Sequence, residues 1–184
     1  MDVSRRETVA HLVHLARRFV ESLAPSPVSE AESRWLDEVL TPSERHLFEG
    51  MALHDRRHAL EVARRVDRAL VGSRQRGRRE WVVAALFHDV GKTESGLGIA
   101  GRVAATVLAL GLGRDAVMAW AGAPGPKRRF GVYVDHPAIG ARLILDAGGP
   151  PAAARWALVH QSTTADVPGM PERVRRALLD ADDD

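Results

Sequence analysis

The chain has 184 residues, 45% hydrophobic and 27% charged, with a formal net charge of +2; that length suits one domain with a substantial core and argues against two. It contains no cysteine, which excludes disulfides and thiolate metal sites. No apolar core follows the arginines of MDVSRRET, and the longest apolar run, Val103 to Gly113, is too short to cross a bilayer, so a soluble cytoplasmic protein without a secretory leader is expected.

In chain order, almost every segment has helical periodicity. Ser4-Arg5-Arg6-Glu7 is a capping box ahead of an apolar face made by Val9, Leu12, Val13, Ala16, Phe19 and Val20, and Pro25-Ser26-Pro27 ends that helix. Ser29-Glu30-Ala31-Glu32 and Thr41-Pro42-Ser43-Glu44 are further capping boxes, the second with proline at the first helical position. Asp55 is expected to cap a helix that turns Ala59, Leu60, Val62, Ala63, Val66, Ala69 and Leu70 inward, and GSRQRGRR (72–79) to be a loop. The next helix ends near Gly91, and others are predicted over about 97–110 and 115–121. AGAPGPKRR (121–129) reads as a loop, followed by helices over 136–146, 151–161 and from Pro171 onward. No segment alternates with period two, so the fold class is all-α, a single-domain bundle of roughly seven to ten helices.

Within this pattern ALFHDVGK (85–92) is anomalous, because an apolar helix ends by carrying His88 and Asp89 into the interior. Burying such groups without partners costs roughly 2–7 kcal/mol for a polar group and more for a charge. Of the eight histidines, His11, His14 and His46 read as surface residues, whereas His58, His88, His136 and His160 lie in or beside separate amphipathic helices. Packing those helices brings the imidazoles together, and a divalent cation among them offsets the Asp89 carboxylate.

These segments resemble the HD-domain superfamily of metal-dependent phosphohydrolases, of the HDxGK type. The likeness rests on RHALEVARRV around His58, ALFHDVGK, HPAIGARLIL from His136, WALVHQ ending at His160, and RALLDADDD at the end. It implies an HD-type domain over 51–184 on which the helices of 1–50 pack, forming one structural domain. It makes His58, His88, Asp89 and Asp182 metal ligands, with Asp180 the alternative to Asp182 and His54 the alternative to His58. His136 and His160 match the histidines of members that hold a second ion bridged by the equivalent of Asp89; with that site empty they would contact substrate phosphate instead. Asp89 and Lys92 are the expected catalytic residues, Lys92 facing the phosphate, and Arg56 and Arg57 are further candidate phosphate contacts.

The implied cofactor is one or two divalent ions, with Mn, Fe, Co, Ni and Zn all compatible with imidazole and carboxylate donors. The implied partner is a small phosphorylated substrate, a phosphomonoester or phosphodiester such as a nucleotide. His160-Gln161 stands where the cyclic-dinucleotide phosphodiesterases of the family have paired histidines, and their Gly-Tyr-Pro signature is missing, so that activity is not expected. A di-iron oxygenase and a non-catalytic binding protein are the alternatives. Three features are read as incidental: Gly91-Lys92-Thr93 lacks the earlier glycine of a P-loop, GLGIAG (96–101) does not follow a strand, and the arginines of 74–79 have only Trp81 nearby for stacking, so neither dinucleotide nor nucleic-acid binding is expected.

Overall fold

The computed structural model describes residues 26–162 and 166–183; the helix expected over 4–20 lies outside them. The described residues are all-helical, without strands. The α-helices are α1 (Glu30–Val39), α2 (Pro42–Glu49), α3 (Leu53–Ala69), α4 (Arg79–Phe87), α5 (Ile99–Leu112), α6 (Arg114–Met118), α7 (Lys127–Val134), α8 (His136–Asp146), α9 (Pro151–Val159) and α10 (Glu172–Asp183), with 3₁₀ segments at Val90–Ser95 and Ala119–Gly122. None is by itself long and apolar enough to cross a membrane.

Both capping boxes ahead of α1 and α2 form, and their glutamates also bind neighbouring helices. Glu32 accepts from the Ser29 backbone N–H at 2.7 Å, from Arg57 at 2.8 and 2.9 Å, and from Arg64, tying α1 to α3. Fully buried Glu44 pairs with Arg79, tying α2 to α4. Burial pushes the Glu32 carboxyl up, but the Ser29 and Arg57 donors outweigh it and hold it at about 2, below its ordinary 4.5.

Helix α4 is apolar on every side, with Val83, Ala84, Ala85, Leu86 and Phe87 all at 0% exposure. It packs between α3 and α9, and α10 closes over α3. Leu36, Leu40 and Phe48 of the first two helices and their connection join the same core as Val62, Leu86, Trp156 and Leu178.

Several boundaries differ from the sequence reading, among them the end of α4, which falls at Phe87 rather than near Gly91. Asp55 does not cap α3, which starts earlier with Ala52 at the N-cap. The Asp55 carboxylate is instead buried in the first turn and gripped by both terminal nitrogens of Arg102 at 2.6 and 2.8 Å, so its partner is a guanidinium from α5 rather than a backbone N–H. The expected loop over 121–129 is also shorter, because Pro126 sits at φ −61° ahead of Lys127 and its fixed torsion starts α7 there.

The contact that positions the later site is between glycines. A Cβ on Gly91 would lie 2.0 Å from the His136 carbonyl oxygen and 2.6 Å from the Gly140 nitrogen. The 3₁₀ segment therefore rests backbone to backbone on the first turns of α8, which sets His136 beside Asp89. On the facing side, a Cβ on Gly140 meets the Gly91 nitrogen at 3.2 Å.

Gly91→Ala is expected to cost about 3 kcal/mol, the upper end of over-packing penalties, because backbone rather than a movable side chain blocks the methyl. Gly140→Ala is expected to cost clearly less, and urea unfolding of both variants checks the order. A second outcome concerns Glu32. Since its folded pKa lies below its unfolded value, its stabilisation is complete above the ordinary carboxylate range and is lost as pH falls toward 2. Glu32→Gln is expected to lose about 2 kcal/mol at pH 7 and to show a shallower stability loss between pH 5 and 3, measured by unfolding at each pH.

Candidate metal centre

Three of the converging histidines stand at helix ends, where carbonyl groups lack an intrahelical partner. His88 is the C-cap of α4, His160 is the C-cap of α9, and His136 opens α8 just after α7. Each Nδ1 reaches the carbonyl oxygen three residues earlier: His88 to Ala85 at 2.9 Å, His136 to Tyr133 at 2.7 Å and His160 to Ala157 at 2.8 Å. A carbonyl only accepts, so Nδ1 carries the proton in each ring, and Nε2 of the neutral imidazole presents a lone pair. Second-shell bonds of this kind orient metal-binding histidines.

Four imidazoles and two carboxylates form two adjoining groups. His58, His88 and Asp182 make one, Asp89, His136 and His160 the other, and within each the donor atoms lie within 4.8 Å of one another. In the first, Asp182 Oδ1 is 3.1 Å from His58 Nε2 and 3.2 Å from His88 Nε2. In the second, Asp89 Oδ1 is 3.3 Å from His136 Nε2 and 3.6 Å from His160 Nε2. His88 Nε2 and Asp89 Oδ2, 3.5 Å apart, join the groups. His88, Asp89, His136 and His160 are buried, whereas His58 and Asp182 stand at the rim, their side chains 21% and 26% exposed.

The structure thus brings together all six residues named as ligands from the sequence. It separates the alternatives, for Asp180 is exposed and His54 belongs to neither group. Lys92 donates to Asp89 Oδ2. Arg57 turns away onto Glu32, and among the described residues Arg56 has no hydrogen bond or ion pair with the cluster. His46 is exposed.

Sequence reasoning assigned no site role to Gln161, whose amide nitrogen is 3.3 Å from His136 Nε2, or to the Asp55–Arg102 pair beside Tyr133, whose ring lies 6.0 Å from the guanidinium. One signal was present: Arg102 is the sole charged residue between Ile99 and Leu112, and a lone charge in an apolar helix calls for a partner.

The electrostatics fit a cation. Burial pushes the Asp89 carboxyl up, but Lys92 and His88 outweigh it and hold it well below the usual range; Asp182 is likewise held low, chiefly by His88 against its burial. Burial pushes His88 down, yet Asp182 and Asp89 raise it to about 9. Burial dominates at His136, which falls to about 4. Nε2 of His88 and of His160 is shielded from solvent without a hydrogen-bond partner. Lone pairs on nitrogen therefore face ionised oxygens, an arrangement that is repulsive until a proton or metal ion stands between them. The two groups can each hold a metal ion, and their nitrogen and oxygen donors suit first-row divalent ions.

No family model matches the chain, and no curated protein or solved structure matches it either.

Two outcomes follow from this geometry. An ion entering at His88 displaces the proton that the carboxylates hold there, so binding at pH 7–8 is expected to release close to one proton per chain at that position. Calorimetry in buffers of different ionisation enthalpy measures it. Asp89→Asn, which touches the boundary of both groups, is expected to lower ion content more than His160→Ala, as read by elemental analysis of the purified proteins.

Proposed function

We propose that the chain is a metal-dependent phosphohydrolase of the HD-domain superfamily that cleaves a small phosphomonoester or phosphodiester. The observation that supports this most is the pair of adjoining three-donor groups, in which buried Nε2 atoms without hydrogen-bond partners face two ionised carboxylates. The HDVGK and HPAIGA segments that resemble the family are also the ones whose backbones touch at Gly91 and Gly140.

His58, His88 and Asp182 would hold one ion, and Asp89, His136 and His160 a second. A divalent ion supplies Lewis acidity toward a phosphoryl oxygen and makes water nucleophilic near neutral pH. The side chains supply the rest. Asp89, kept ionised by its neighbours, accepts a hydrogen bond from the attacking water and aims it. Lys92, beside Asp89, sets a positive charge where the phosphoryl oxygens gather negative charge. The Nδ1 bonds of His88, His136 and His160 hold those rings still, so little reorganisation accompanies the reaction.

Six nitrogen and oxygen donors in two adjoining groups also favour a second reading, a two-iron oxygenase. Elemental analysis combined with hydrolysis of a panel of phosphomonoesters and phosphodiesters tests the first reading. Metal-loaded protein is expected to cleave at least one of them, releasing phosphate from a monoester or the alcohol from a diester, chelation to abolish the cleavage, and Asp89→Asn to lower kcat at least ~10³-fold while the fold is retained. Oxygen consumption with two irons per chain, and no ester cleavage across the panel, would establish the alternative.

A further inference from the structure

Of the Nε2 atoms that His88, His136 and His160 turn inward, those of His88 and His160 lack a hydrogen-bond partner. The Nε2 of His136 differs, because the side-chain amide nitrogen of Gln161 lies 3.3 Å from it. Nδ1 of the same ring donates to the Tyr133 carbonyl at 2.7 Å, and burial keeps the imidazole neutral by lowering its pKa to about 4. Nε2 is therefore an acceptor. The Gln161 amide N–H donates to the very lone pair that an ion in the second group needs.

The turn that delivers a candidate ligand also delivers this amide. Gln161 follows His160, the C-cap of α9, so one helix end sends an imidazole into the second group and an amide to the ring facing it, whose centroid is 5.8 Å from that of His160. Asp89 Oδ1 also lies 3.3 Å from His136 Nε2, but an ionised carboxylate has no proton to donate and leaves lone pair facing lone pair. The amide hydrogen offers a partial positive charge there, where an ion would offer a full one. His136 is buried and Gln161 exposed. The amide can thus turn outward and exchange its bond for one to water without movement of the core.

We propose that Gln161 sets the ion affinity of the second group: its amide holds the His136 lone pair, and an ion binds there only by displacing that hydrogen bond. Gln161 is then a positioning residue that acts through His136, not a ligand. This assignment deepens the metal-dependent reading and rests on it. It also separates the two histidines of the group, since an ion meets His160 Nε2 unopposed and His136 Nε2 in competition with an amide.

The test titrates Zn²⁺, as the probe ion, into the full chain after treatment with chelator, and follows binding by calorimetry. Gln161→Leu keeps the bulk of the side chain without its donor, and Gln161→Ala removes both. Each is expected to raise the affinity for one ion per chain about five-fold, the equivalent of one neutral hydrogen bond that no longer has to be broken. Either substitution added to His136→Ala is expected to change the affinity by no more than about two-fold, because the acceptor is already gone. Tighter binding in Gln161→Ala alone would make the side chain a mere cover, and weaker binding in both variants would make its carbonyl oxygen a ligand. Each of those results overturns the proposal, as do unchanged affinity and a gain that persists without His136. Wild type and variants that all take up no Zn²⁺ overturn the metal reading itself, an outcome distinct from failure at Gln161 alone.

Discussion

Nitrogen lone pairs turned toward ionised oxygens inside a low-dielectric core constrain the rest of this molecule. Hydrogen bonds from Nδ1 of His88, His136 and His160 to backbone carbonyls turn three Nε2 atoms toward carboxylates, at 3.2–3.6 Å from Asp89 or Asp182. Packing alone does not favour that arrangement, because removing such groups from water costs free energy that only a shared positive charge offsets. Lys92 supplies part of that charge, and a proton on His88 another part. A metal ion in each group would offset more of it than either.

The helical scaffold meets this constraint by using helix ends. Orphan carbonyls in the last turns of α4, α7 and α9 are costly if buried unmet, and a histidine three residues on satisfies each one while directing its other nitrogen inward. One local device thus caps three helices and orients three candidate ligands. The Gly91–Gly140 contact complements it, since side chains at either position would hold α8 away and separate His136 from Asp89.

How much of this was legible in the sequence depended on the range of the interaction. The capping boxes at Ser29 and Thr41 act over three residues, and both form as their letters imply. The all-α class followed from apolar periodicity, which reports burial of a face whatever covers it. The membership of the cluster was legible from histidines carried by amphipathic helices and from the resemblance to the HD-domain pattern, whose closing letters pointed to Asp182 ahead of Asp180. Asp55 shows where local reasoning fails. A carboxylate near a helix start reads as a cap, but Arg102, 47 positions later, competes for it with two charged hydrogen bonds and prevails. Gln161 gave no signal beyond replacing a second histidine, because an amide on an exposed turn has no characteristic pattern.

The rim group of His58, His88 and Asp182 has a mechanical consequence. His58 and Asp182 are 124 positions apart in the chain, and α10 reaches the site only by lying across α3. An ion shared by them would act as a cross-link, closing a loop of the size for which a disulfide removes on the order of 4–5 kcal/mol of unfolded-state entropy. In a chain with no cysteine, metal would take over the stapling role that sulfur has elsewhere. The lifetime of the folded state would then rise and fall with the supply of that metal, so starvation for the ion would first loosen α10 and only afterwards the core beneath it.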